Sequence, residues 1–89
     1  MTVVLKDFWA PWCGPCRVTT PTIEEIEKEY AKKIKVEKIN VDEDPETASK
    51  YGVMSIPTFI LEKNGAIVGQ WVGVTPKEDL KEAIDGALG

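Results

Sequence analysis

Two cysteines, Cys13 and Cys16, stand three residues apart, and the chain holds no others. A pair at this spacing suits thiol–disulfide exchange, which needs an attacking thiolate and a second thiol near enough to resolve the mixed disulfide. Between them lies Gly14-Pro15, and proline fits the first turn of a helix, where its missing N–H is no loss. A helix opening here puts Cys13 at or just before its first turn, where unpaired N–H groups and the helix dipole favour negative charge. Cys16 falls one turn further in. The expectation is therefore an exposed nucleophile and a sheltered resolving partner. A free thiol of pKa about 8.5 is only roughly 3% thiolate at pH 7. A helix terminus worth on the order of 1–2 kcal/mol lowers that pKa by about one unit, which raises the thiolate to tens of per cent. No histidine base is required, and the chain contains no histidine.

Three blander readings compete. A structural zinc site takes about four ligands, and the chain offers two cysteines and no histidine. A purely structural disulfide closing so short a loop adds about 2 kcal/mol at best. Two unreactive core thiols remain as the third, although Gly14-Pro15 between them suits a turn into a helix. The wider composition narrows the function further. The 89 residues suffice for one domain, spanning 1–89, and carry 15 acidic against 11 basic residues, a formal net charge of −4. An acidic surface repels phosphate backbones, so nucleic acid is excluded as the expected partner. No apolar run approaches a membrane span or a signal-peptide core. The protein is expected to stay where it is made, in the cytoplasm. A disulfide-stapled secreted domain would spread more cysteines along its length.

The elements that must position the pair follow from local patterns. Residues 3–8, with Val3, Val4, Leu5 and Phe8, read as a buried strand. The helix after Cys13 is expected to run to about Lys33, with Ile23, Ile26 and Tyr30 on one face and a kink at Pro21. Glu24/Lys28 and Glu29/Lys33 would pair at i,i+4 on its outer face. Residues 35–41 read as a second strand. Asp44-Pro45 caps and opens a short helix to about Tyr51, stopped at Gly52. Residues 57–61 and 66–71 read as strands joined by an Asn64-Gly65 hairpin turn. Thr75-Pro76-Lys77-Glu78 reads as a capping box before a last helix whose stripe is Leu80, Ala83, Ile84, Ala87 and Leu88. The order βαβαββα predicts an α/β fold: a four-stranded mixed sheet with helices on both faces.

Phe8-Trp9-Ala10-Pro11-Trp12-Cys13-Gly14-Pro15-Cys16 closely resembles the active-site segment of the thioredoxin family. Lys38-Ile39-Asn40-Val41-Asp42 resembles that family's second central strand, Tyr51 to Thr58 its proline loop, and Phe59 to Gly73 its terminal hairpin. The resemblance covers nearly the whole chain and implies a thioredoxin-like three-layer α/β/α fold and protein disulfide reduction. Cys13 would attack and Cys16 resolve. Asp7, taken alone, reads as a strand-edge residue facing solvent; the resemblance makes it a buried carboxylate acting as general base toward Cys16. Lys38 would tune that carboxylate, or else be an ordinary exposed strand lysine. Ile56-Pro57 would be a cis-proline turn facing the cysteines, the alternative being a trans proline opening a strand. Trp12, Gly14, Pro15, Ile56, Pro57 and Gly73 would form the substrate groove. Trp9 and Trp71 are expected to be packing residues.

The family commonly carries a further strand and helix ahead of the first strand, and here only twelve residues precede Cys13. The 35–41 strand is therefore expected at a sheet edge, with one face covered only by the short 45–51 helix. The chain is expected to be a monomer. No cofactor or metal is implied beyond the internal disulfide; the implied partners are disulfide-bearing substrate proteins and a thioredoxin-reductase-type electron donor. Gly14-Pro15 resembles reducing members, whereas oxidising and isomerising relatives usually carry a histidine there. Isomerase and glutaredoxin-like activity, and a role as a thioredoxin-like binding or partner subunit, stand as alternatives.

Overall fold

A computed structural model describes residues 2–89; Met1 lies outside the described residues. The strand β1 (Val3–Trp9) alternates its side chains between two cores. Val3 and Leu5 join Ile23 and Ile26 of α1 (Gly14–Glu29), while Phe8 points the other way, toward Ala48. The remaining elements are β2 (Lys35–Asn40), α2 (Pro45–Lys50), β3 (Thr58–Lys63), β4 (Ala66–Val72) and α3 (Lys77–Leu88). This is the expected βαβαββα order.

The sheet runs β2-β1-β3-β4. β1 pairs parallel with β2, opposing Asp7 to Lys38, and antiparallel with β3, opposing Asp7 to Phe59. β3 and β4 form an antiparallel hairpin with an irregularity at Leu61/Glu62. Its turn is Asn64-Gly65, both at positive φ (53° and 85°), the backbone that tight hairpins favour. Among the described residues β2 is thus an edge, as expected.

On one face α1 and α3 enclose the larger core of Leu5, Ile23, Ile26, Phe59, Leu61, Leu80 and Ile84. Full burial of each large aliphatic side chain contributes roughly 1.5–3 kcal/mol. The other face holds Phe8, Ala48 and Ile60, with Ile39, Tyr51 and Val53 against them, and α2 as its helix. Lys6 reaches across that face to Glu37 (2.5 Å) and Glu62 (3.4 Å), and the Tyr51 hydroxyl donates to Glu62 (3.0 Å). The start of α2 is as expected: Asp44 Oδ1 accepts from the Thr47 N–H at 3.1 Å.

Four local expectations are corrected. α1 ends at Glu29 with Tyr30 as its C-cap, because the Tyr30 hydroxyl is drawn to Asp85 on α3 (2.6 Å) and its carbonyl accepts from Lys33 and Ile34 in a turn. The i,i+4 pairs on α1 are replaced by tertiary ones, Glu29 to Lys77 (2.6 Å) and to Lys81 (3.2 Å). The capping box does not form. Pro76, which has no polar side chain, is the N-cap of α3, and the Thr75 hydroxyl instead donates to the Gly73 carbonyl (3.0 Å). Finally, β3 begins at Thr58 rather than at Pro57 and runs two residues further, to Lys63.

Candidate active site

Cys13 is the N-cap of α1: its backbone is extended (φ −86°, ψ 109°) and its Sγ accepts from the Cys16 N–H at 3.1 Å. A capping side chain normally offers oxygen to one of the orphan N–H groups of the first turn. Here sulfur takes that place, so the helix terminus acts directly on the Cys13 sulfur. The loop before it is tied down by the Cys13 N–H on the Ala10 carbonyl (3.1 Å) and by the Arg17 guanidinium on the Pro11 carbonyl (2.9 Å). Cys13 and Cys16 are joined as a disulfide, with a Cα–Cα separation of 5.3 Å.

The expected contrast between an exposed Cys13 and a sheltered Cys16 is absent in this oxidised form. Their exposures are 4% and 5%. Each bonded sulfur shields the other, and Ala10, Trp9, Val41 and Ile56 pack around both.

Asp7 is buried, on the face of the sheet that α1 covers, in a cleft of about 230 Å³ lined also by Trp9, Thr20, Ile23 and Lys38. The reading that leaves it facing solvent is overturned. Burial pushes its carboxyl up to about 6, against the pull of the Lys38 ammonium. Among the described residues Asp7 is hydrogen-bonded to neither sulfur. Lys38 is exposed, and its ammonium meets Glu27 of α1 at 2.7 Å.

Ile56-Pro57 is cis. Ile56 packs against the cysteine cluster and shares a shallow cleft with Trp12, Val41, Val53 and Met54. The Pro57 carbonyl accepts from the Gly73 N–H at 2.8 Å, and Gly73 holds a φ of 89° that suits glycine. Trp12 is 67% exposed, with its indole N–H on Asp42 (2.8 Å). The fold thus gathers Cys13, Cys16, Trp12, Ile56, Pro57 and Gly73 around one end of the sheet. Asp7 and Lys38 share a separate cleft, whose wall Trp9 supplies. Gly14 and Pro15 are exposed on the first turn and line neither cleft.

Sequence reading missed two contributors. Trp9 is more than packing: it touches the disulfide cluster, walls the Asp7 cleft, and buries an indole N–H that has no partner among the described residues. Its position two residues after Asp7 on the same strand face was the available signal. Asp42, quoted only as part of a strand, fixes the orientation of Trp12 from across the sheet end. Among the described residues no group of three or more Cys, Asp or Glu side chains could hold a metal ion, and no helix is long and apolar enough to cross a membrane.

A comparison with known families matches the thioredoxin model to residues 1–86. The chain is 55% identical to a thioredoxin of Bacillus subtilis over 86 residues, 97% of this chain and 83% of that one. It is 51% identical to a thioredoxin of Listeria monocytogenes over 93% of this chain and 81% of the relative. A chloroplastic M-type thioredoxin of Pisum sativum is 55% identical over 94% of this chain and 49% of its own length. With a disulfide-bonded CXXC pair capping a helix at the end of a four-stranded mixed sheet, and with these matches along almost its whole length, the chain belongs to the thioredoxin family and is a protein disulfide oxidoreductase.

Proposed function

We propose that the protein works as a cytoplasmic, monomeric reductant of protein disulfides. The observation that carries this reading is the Cys16 N–H on the Cys13 sulfur: of the two sulfurs, Cys13 is the one that receives a helix N–H among the described residues. Such a bond favours the thiolate and so marks Cys13 as the attacking group.

In the reduced form, the Cys13 thiolate attacks one sulfur of a substrate disulfide. The substrate S–S bond breaks, a mixed disulfide forms on Cys13, and the other substrate sulfur leaves as a thiolate. Asp7 takes the Cys16 proton, and the Cys16 thiolate attacks the Cys13 sulfur. The internal disulfide closes and the second substrate sulfur departs, so two electrons have passed to the substrate. Lys38 tunes the carboxylate. Trp12, Gly14, Pro15, Ile56, Pro57 and Gly73 border the bound segment, and neither the N–H nor the carbonyl of Ile56 is engaged by backbone among the described residues, which supports strand-like pairing there. A thioredoxin-reductase-type donor returns two electrons. A dithiol that must be kept reduced fits a reducing compartment.

The test is trapping with a substrate protein that carries one surface disulfide. Cys16→Ser should accumulate a mixed disulfide through Cys13, and Cys13→Ser should accumulate none. Equal trapping by both variants overturns the assignment. The equilibrium potential of the parent should fall at the reducing end of the roughly 90 mV that separates reductases from isomerases in this family.

A further inference from the structure

The Asp7 cleft contains an arrangement that the disulfide chemistry above does not use. Lys38 lies directly across the β1–β2 ladder from Asp7, the placement in which a lysine would close an ion pair with the carboxylate. It does not. Among the described residues the ion pair made by its ammonium is with Glu27 Oε1, at 2.7 Å, on the helix that covers the cleft. Glu27 occupies the fourth turn of the same helix that Cys13 caps and whose first turn carries Cys16. A helical carboxylate thus competes with Asp7 for the cation that faces both.

We propose that Glu27 is a positioning residue for the exchange reaction, holding the Lys38 ammonium off the Asp7 carboxyl so that Asp7 stays able to exchange a proton near neutral pH. The proposal rests on the reading of Asp7 as the base for Cys16. Its chemistry is electrostatic. A cation within a few ångströms favours the carboxylate and lowers the pH at which it takes up a proton. A cation held elsewhere leaves the effect of burial in command. The charged groups facing this corner are Lys38 from β2 and Glu24 and Glu27 from α1. β3 presents Phe59 opposite Asp7 and adds no charge, and the disulfide does not titrate. The directions agree with the geometry: Lys38 draws Asp7 down and Glu27 pushes it up.

The experiment follows the Asp7 carboxyl carbon by NMR across pH 4–9 in the oxidised protein, where neither cysteine contributes. Glu27→Gln should lower the Asp7 midpoint by about half a pH unit, roughly threefold in the ionisation ratio at fixed pH. Lys38→Met should raise it. In a Lys38→Met background Glu27→Gln should produce a clearly smaller shift, because no cation is left to release. Glu27→Asp should restore most of the parent midpoint. An unmoved midpoint in Glu27→Gln overturns the proposal. So does a shift of equal size with and without Lys38, since that is direct repulsion between two carboxylates and needs no positioning. Failure of the base reading is separate: it appears as an undiminished rate of mixed-disulfide resolution in Asp7→Asn, whatever the NMR midpoints do.

Discussion

Asp7 is where sequence chemistry and burial meet most directly. A carboxylate on a strand between two cores has lost much of its hydration, and this burial pushes its pKa up to about 6 from 3.8. The folded state therefore binds this proton more tightly than the unfolded chain. The resulting contribution is fully present below about pH 4 and is lost as pH rises through about 6. At pH 8 the ionised side chain costs about 3 kcal/mol of stability. Asp7→Asn is expected to be more stable than the parent by about 2–3 kcal/mol in urea unfolding at pH 8, with the gap closing near pH 4, while mixed-disulfide resolution slows. Equal stability of the two proteins at both pH values would remove desolvation as the cause. The roles of Cys13 and Cys16 were legible because a helix start can be read from Gly14-Pro15. Their equal shielding was not, because it comes from the bond between them and from Ile56, forty residues away. The burial of Asp7 was legible only through family resemblance; a lone Asp in an apolar run reads equally well as a surface residue.

At the scale of elements, the interiors of strands and helices were readable and their ends were not. The Ile23/Ile26 spacing and the Leu80/Ile84/Ala87 stripe fix which faces are buried, and both faces meet in one core. Helix ends obeyed partners outside the helix itself. Tyr30 closes α1 early by bonding to Asp85, and Thr75 is taken by the Gly73 carbonyl before it can cap α3. Where the cap had no tertiary competitor, at Asp44, the sequence signal held. The core face of α1 also supports the cysteine turn, so truncation there should affect stability before chemistry. Ile26→Ala removes a fully buried side chain and is expected to lower stability by about 2–5 kcal/mol. The check is a shifted urea midpoint at unchanged slope. A loss below about 1 kcal/mol would mean that α1 settles into the space.

Across the whole molecule, the sheet order follows from the chain order: a parallel crossover pair, then a hairpin placed on the free side of β1. The thin cover of one face by α2 was likewise foreseeable from element lengths. What escaped reading were the ion pairs that link elements, such as Glu29 with Lys77 and Lys81, or Glu27 with Lys38, since they join positions far apart in sequence. The two rims of the sheet differ in a way that bears on how the protein behaves in concentrated solution. The β2 rim carries Lys35, Glu37 and Lys38, whereas β4 exposes Ile67, Val68 and Val72, each by more than half. Uncharged rims of β-branched residues invite another chain to add a strand. Clumping on warming should therefore start at β4, and Val68→Lys should delay the rise in light scattering at a given temperature while leaving mixed-disulfide trapping intact. If the onset does not move, the colloidal weak point lies elsewhere; if it does, this rim limits how densely the protein can be stored.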